Sequence, residues 1–212
     1  MNIVYVVLYN FLFYPLFIFS MFFLSIFNKK IRQGIIGRFE SLYILKSYFN
    51  KNNLNSNIIW FHCSSLGEYM QAEPIIDLLK NREEHYTVLV SFFSPSGFVN
   101  VKNSKIDCKV YLPFDFPWTM NSLFEIVRPE FIILANNDLW YNFLKIAKDK
   151  GVKTYLIGAE SKRFYKNKFS AAYYFYKPIY FSFSKIFAVD ENDQKDIFNY
   201  LKYKSISEIP VT

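Results

Sequence analysis

From Ile3 to Phe27 the chain carries no charged residue. A helical run of about 25 such residues, rising about 1.5 Å per residue, crosses a hydrocarbon layer about 30 Å thick. Residues 1–28 are therefore predicted to form a membrane anchor helix. Asn10 and Pro15 interrupt the run, and a bilayer helix tolerates such residues when neighbours meet the freed polar groups. A cleaved leader is not expected: the basic start, the short apolar stretch and the small-residue cleavage site are all missing. Lys29, Lys30, Arg32 and Arg38 follow at once. Cations beside a span mark its cytoplasmic side, and they can hold anionic headgroups. A helix lying in the membrane interface is the competing reading. Arg38 to Phe49 reads as amphipathic, with Phe39, Leu42, Tyr43, Leu45 and Phe49 on one side, against the bilayer. Residues 29–56 thus read as a basic juxtamembrane segment ending in an Asn-rich linker.

Beyond the linker, strand-like and helix-like runs alternate. Strands are expected at Asn57 to Phe61, Tyr86 to Phe92, Cys108 to Leu112, Phe131 to Ala135, Lys153 to Gly158 and Lys185 to Val189, with a last one at Ile206 to Val211. Helices are expected at Glu68 to Lys80, from Ser94, at Trp118 to Val127, at Leu139 to Lys150, in broken form over Asn167 to Phe183, and from Asp190 to about Leu201. Continuous apolar strands such as FIILA and TYLIG are those of a sheet covered on both faces. The alternation predicts an α/β fold, a Rossmann-like doubly wound parallel sheet, over residues 57–212. Neither G-x-G-x-x-G nor a Walker A loop is present, so dinucleotide or nucleoside triphosphate binding of the usual kind is unsupported.

Open α/β sheets bind ligands outside the carboxyl ends of their strands. The loop Phe61-His62-Cys63-Ser64-Ser65-Leu66-Gly67-Glu68 sits at such an end. Exposed amides at a helix start favour an ionised carboxylate, which makes Glu68 a candidate base. The plainer reading is a capped helix, with Ser64 or Ser65 as N-cap and Glu68 in the first turn. The other edge loops bring Ser94, Ser96, Asp115, Asn136, Asn137, Asp138, Glu160, Lys162 and Arg163. Hydroxyls, carboxylates, amides and cations of this kind suit a polar substrate such as a sugar phosphate.

The net charge of +7 raises the question of nucleic acid. The globular part shows no basic stripe interleaved with aromatics and no nucleic-acid-binding signature, so membrane phosphates or a phosphorylated lipid are the expected partners. Cys63 and Cys108 are the only cysteines, beside two histidines. Their spacing matches no metal set, and no cofactor is expected. Cys63, directly after a strand, is read as a packing residue.

Trp60 to Lys80 (WFHCSSLGEYMQAEPIIDLLK), SFFSPSGF (Ser91 to Phe98), YLPFD (Tyr111 to Asp115), DLWYN (Asp138 to Asn142) and FAVDENDQKDIF (Phe187 to Phe198) resemble, in this order, the amino-terminal half of the 3-deoxy-D-manno-octulosonic acid (Kdo) transferases of lipopolysaccharide synthesis. The resemblance includes the apolar amino terminus with its basic flank. It implies a membrane-associated, inverting GT-B glycosyltransferase of the inner membrane, its globular part facing the cytoplasm. Such an enzyme moves Kdo from CMP-Kdo to a hydroxyl of a lipid A precursor without a metal. The family's base falls on Glu68, with Ser65 and Gly67 shaping the turn that presents it. The family's second acid falls on Asp138, and Trp140 packs at the cleft or offers a face to a sugar. Ser94, Ser96, Lys162 and Arg163 are carried over as substrate-binding residues.

Three departures from the family pattern stand out. Relatives often have a second Glu where this chain has Asn136. Their Arg after Gly158 aligns with Glu160, leaving Lys162 and Arg163 displaced. The domain that holds most of the CMP-Kdo site is expected to lie outside these 212 residues, so the chain reads as the acceptor-binding half, incomplete as a catalyst alone. The alternatives are a degenerate, non-catalytic membrane-anchored glycolipid-binding remnant and a GT-B half acting on another glycolipid.

Overall fold

The computed structural model describes residues 3–52, 57–82, 86–136, 138–163 and 171–201. Among the described residues, six parallel strands form one sheet: β1 (Asn57–Cys63), β2 (Tyr86–Phe92), β3 (Cys108–Tyr111), β4 (Phe131–Ala135), β5 (Lys153–Ala159) and β6 (Lys185–Ala188). Their order is β3-β2-β1-β4-β5-β6. The chain thus winds outward from β1 in one direction, then returns to start again at β4. The expected last strand, Ile206 to Val211, lies outside the described residues.

Alternation along β1 divides the core. Ile58 and Trp60 face one layer, with Leu89, Phe124 and Phe143, while Ile59, Phe61 and Cys63 face the other, with Val88, Val90 and Ile76. The second layer is closed by α4 (Leu66–Lys80) and α5 (Pro95–Asn100), the first by α6 (Pro117–Val127) and α7 (Tyr141–Asp149). Side chains pointing alternately to opposite faces place His62 with Trp60. This doubly covered sheet is the Rossmann-like architecture the alternation predicts.

Residues 29–52, read from the sequence as a juxtamembrane segment, form a long helix, α3 (Lys29–Asn52), against β3 and α6. Its inward stripe is Ile35, Arg38, Ser41 and Leu45. Leu42 and Phe49 pack beside it, whereas Phe39 and Tyr43 point outward. The five residues assigned to one apolar side are therefore split between two. Gly37 explains the close approach, because a Cβ there would stand 2.3 Å from the Tyr111 ring. Lys29, Lys30 and Arg32 are exposed, but Arg38 is only 3% exposed. Its guanidinium lies 4.2 Å over the Phe93 ring and donates to the carbonyls of Gly34 (2.8 Å) and Phe93 (2.5 Å). Burial pulls its pKa down to about 10. Arg38 is thus a clamp between α3 and the β2–α5 loop rather than a headgroup contact.

The apolar amino terminus is helical from Ile3 to Phe27. It comprises α1 (Ile3–Leu8), a π-helical turn (Tyr9–Phe13) and α2 (Tyr14–Phe27). One face docks on the domain: Tyr9 meets Tyr141, Tyr14 meets Phe116, Phe17 meets Phe93, and Phe22 meets Phe114. The other face leaves Ile3, Phe11, Phe19, Ile26 and Phe27 exposed. The remaining α-helices among the described residues are α8 (Ala171–Tyr180) and α9 (Glu191–Leu201).

Candidate active site

The point where the strand order reverses lies between β1 and β4. Ligand crevices form at such a point because the loops on either side diverge. Here the diverging loops are Ser64–Ser65, leading into α4, and Asn136–Trp140, leading into α7. Glu68 and Asp138 therefore stand across the switch point from one another.

Ser65 is the N-cap of α4, and its Oγ accepts the Glu68 N–H at 3.4 Å. The Glu68 carboxylate reaches back to accept the Ser64 N–H, in the manner of a capping box. The capped helix and the candidate base are thus the same arrangement. Burial raises the Glu68 pKa first, and the Asp138 charge raises it further. The Ser64 amide, His62 and the Ser65 amide pull the other way. A carboxylate raised in this way is a better proton acceptor at neutral pH. Gly67, in the same turn, has open space where a Cβ would stand and no left-handed φ. The Ser64 Oγ is buried and has no hydrogen-bond partner among the described residues.

Asp138 is held by a chain of hydrogen bonds. The Trp60 indole N–H, which can only donate, gives to Ser91 Oγ at 2.8 Å. Ser91 Oγ lies 2.9 Å from His62 Nδ1, and His62 Nε2 lies 3.1 Å from Asp138 Oδ2. The Ser91 hydroxyl proton is free to go to Nδ1, leaving the Nε2 proton to point at the carboxylate. Trp140 Nε1–H also donates to Asp138 Oδ2, at 2.9 Å. One face of Trp140 stacks on Phe93 with 5.0 Å between centroids, so the indole is packed into an aromatic cluster. His62 is fully buried while the Asp138 side chain keeps 27% exposure. The acid is therefore presented outward from a fixed base.

Sequence reasoning did not place His62 and Ser91 in the site. The signal was the strand period: both belong to the Trp60 face, and the two residues are direct partners in the β1–β2 register.

Ser94 joins the cluster, since its N–H donates to the Ser64 carbonyl at 2.7 Å and ties the β2–α5 loop to the β1–α4 loop. Its hydroxyl caps α5 by accepting the Ser96 N–H at 3.2 Å, and Ser96 Oγ, exposed, lies 2.9 Å from Ser94 Oγ. Lys162 is one strand further along the edge, exposed and paired with Glu160 at 3.1 Å. Arg163 ends the adjoining 3-10 turn, and its side chain lies outside the described residues. Asn136 closes β4 with φ of 62° and is buried, a left-handed conformation that Asn tolerates better than most residues. Burial and the nearby Glu68 charge push the Cys63 thiol well up, so Cys63 stays protonated and packs.

Asp115 supports the same site from below. It is fully buried, with Oδ1 accepting the Phe143 N–H (2.8 Å) and Oδ2 accepting the Asn142 N–H (3.0 Å) and the Tyr9 hydroxyl (2.7 Å). These are amides of the first turn of α7, whose N-cap, Trp140, makes no side-chain cap bond. Asp115 thus caps from a distance the helix that follows Asp138.

A model of the family described as 3-Deoxy-D-manno-octulosonic-acid transferase (kdotransferase) matches residues 38–207. The chain belongs to this family. Among curated relatives, the 3-deoxy-D-manno-octulosonic acid transferase of Aquifex aeolicus is 28% identical over 123 residues, 56% of this chain and 33% of that protein. The Haemophilus influenzae protein of the same name is 27% identical over 123 residues, 57% of this chain and 27% of that protein. A probable mitochondrial 3-deoxy-D-manno-octulosonic acid transferase of Arabidopsis thaliana is 32% identical over 94 residues, 43% of this chain and 21% of that protein. The chain thus spans about a third or less of the length of these relatives. Among solved structures, the UDP-GlcNAc 2-epimerase of Methanocaldococcus jannaschii superposes with a TM-score of 0.48 at 14% identity, covering 74% of this chain and 45% of that one.

Proposed function

We propose that this domain is the acceptor-binding half of an inverting Kdo transferase, working at the cytoplasmic face of the inner membrane. Its acceptor is a hydroxyl of a lipid A precursor, and its donor is CMP-Kdo held by a second, nucleotide-binding domain. The observation that carries the reading is the pairing of Glu68 and Asp138 across the switch point of the sheet. In the proposed step, Glu68 takes the proton of the acceptor hydroxyl as its oxygen bonds to the anomeric carbon of Kdo. The bond from that carbon to the CMP phosphate breaks, and CMP leaves with the electron pair. A positioned base of this kind contributes about 10²–10⁴-fold, and holding both substrates together supplies much of the rest. Asp138, fixed by His62 and Trp140, keeps Glu68 basic and is placed to orient the acceptor.

The apolar helix is proposed as the membrane anchor, with Lys29, Lys30 and Arg32 at the headgroups. Because it lies along the domain from Tyr9 to Phe22, an interfacial placement fits it better than a perpendicular span.

The test supplies a donor-binding half in trans and follows Kdo transfer to the lipid. Glu68→Gln is expected to abolish transfer while leaving the circular dichroism spectrum unchanged. Undiminished transfer by that variant removes Glu68 from the chemistry. A non-catalytic glycolipid-binding remnant is the second reading, favoured by Asn136 in place of the relatives' acid. It predicts lipid binding without turnover for the unmodified chain under the same conditions.

A further inference from the structure

Between the amino-terminal helix and α8 lies a cavity of about 660 Å³, within the range of about 300–1,000 Å³ usual for small-molecule sites. Its walls are apolar and aromatic, with Leu8, Phe13 and Phe17 on one side and Ala172, Phe175 and Tyr176 on the other. One end is Asp138 with Trp140. Phe17 reaches across to the Trp140 ring, and Phe13, in the same wall, is also 60% exposed on the outward apolar side of the helix. A single hollow therefore joins a membrane-length apolar surface to a carboxylate of the candidate site. We propose that it takes one acyl chain of the acceptor glycolipid, with the sugar hydroxyls at Asp138.

The polar end selects the occupant. Asp138, with Glu68 close enough for their charges to interact, repels the phosphate of a bulk phospholipid and the carboxylate of a free fatty acid. An uncharged sugar hydroxyl meets acceptors there instead. This placement rests on the transferase reading for the identity of the lipid, and it adds a subsite on which that reading is silent. The amino-terminal helix then has a second role besides anchoring, as a wall of the acceptor site.

The experiment uses the full chain in phosphatidylcholine bicelles, with Trp118→Phe to silence the exposed indole. A lipid A precursor brominated along its acyl chains is titrated in, and quenching of Trp140, at the cavity end, is read. Saturable quenching is expected from this lipid but not from brominated phosphatidylcholine at equal bromine content. Ala172→Phe and Leu8→Phe narrow the cavity from opposite walls. Displacing two methylenes by either is expected to weaken saturation about tenfold or more, with an unchanged circular dichroism spectrum. Glu68→Gln is expected to leave the quenching intact, so loss of transfer and loss of acyl binding are read separately. Equal quenching by the bulk phospholipid, no saturation in the parent protein, or full saturation in a folded cavity-filling variant would each overturn the proposal.

Discussion

Asp115→Asn tests how the amino-terminal helix and the candidate site are joined. The wild-type carboxylate is fully buried and accepts three hydrogen bonds, from Asn142 N–H, Phe143 N–H and the Tyr9 hydroxyl. Burial pushes its pKa from 3.8 up to about 7, with Asp138 adding to the rise and the three donors opposing it. Between these values the folded protein holds a proton that the unfolded chain has released. Stability from this group is therefore fully present below pH 3.8 and is lost as the pH rises to about 7. At about 1.4 kcal/mol per pH unit for one proton, the whole window is on the order of 4 kcal/mol. The substituted carboxamide keeps the shape but cannot titrate. Its nitrogen cannot accept, so one donor is left unmet at a cost of about 1–3 kcal/mol. The variant is expected to be less stable than wild type at pH 5, and the gap is expected to shrink by roughly 2–3 kcal/mol by pH 8. Urea unfolding in mild detergent, followed by circular dichroism at each pH, measures it. A gap that is constant or widens with pH refutes the assignment of a buried, protonating carboxyl at Asp115.

Asp138→Asn removes a charge that helps to raise Glu68. The acid limb of the reconstituted kcat/KM profile, where Glu68 must be ionised, is expected to move to lower pH, as a pH–rate series would record. His62→Ala leaves Ser91 short of a buried partner and frees Asp138 to turn. A stability loss of about 1–3 kcal/mol is expected, and His62→Gln, which can both accept and donate, is expected to restore part of it in thermal melts. Reversing Lys29, Lys30 and Arg32 to Glu together is expected to weaken co-sedimentation with anionic vesicles by more than about tenfold, since each cation near a surface contributes about 1 kcal/mol. The same reversal at Arg38 is expected to unfold the domain instead, because it buries an unmatched carboxylate among Phe93, Tyr111 and Phe114.

The strands and their parallel arrangement were legible because each apolar run is short, bounded by turn residues and followed by a helical pattern. The lateral order was not, because nothing local says that β4 returns to pair with β1. That pairing sets Asp138 opposite Glu68. Arg38 was misplaced for a related reason: adjacent to Lys29, Lys30 and Arg32 it reads as one more surface cation, and only the helical phase of α3 turns it inward beside Ser41 and Leu45. Lys162 illustrates the converse, an edge-loop cation whose partner turns out to be its own neighbour Glu160. His62 was visible as a residue but not as a participant, since its role depends on Ser91 across the β1–β2 register.

Asn10 and Pro15, which look like flaws in an apolar run, instead give the amino-terminal helix its fit. Proline has no N–H for the carbonyl four residues back and crowds it. The helix answers with a π turn directly before it, in which the Tyr14 N–H reaches the Tyr9 carbonyl. In a regular α-helix, residues five apart point about 140° away from each other. The π turn brings Tyr9 and Tyr14 into a stack 5.5 Å apart. Both hydroxyls then meet Asp115, Tyr9 donating to its carboxylate and Tyr14 accepting its N–H. Asn10 adds its side-chain carbonyl to the Asn142 amide at 2.8 Å. The apolar helix is thus held at the first turn of α7, two residues beyond the Trp140 that binds Asp138. Displacement of the helix would act first on that turn, which makes the geometry of the acid pair dependent on how the amino-terminal helix is seated.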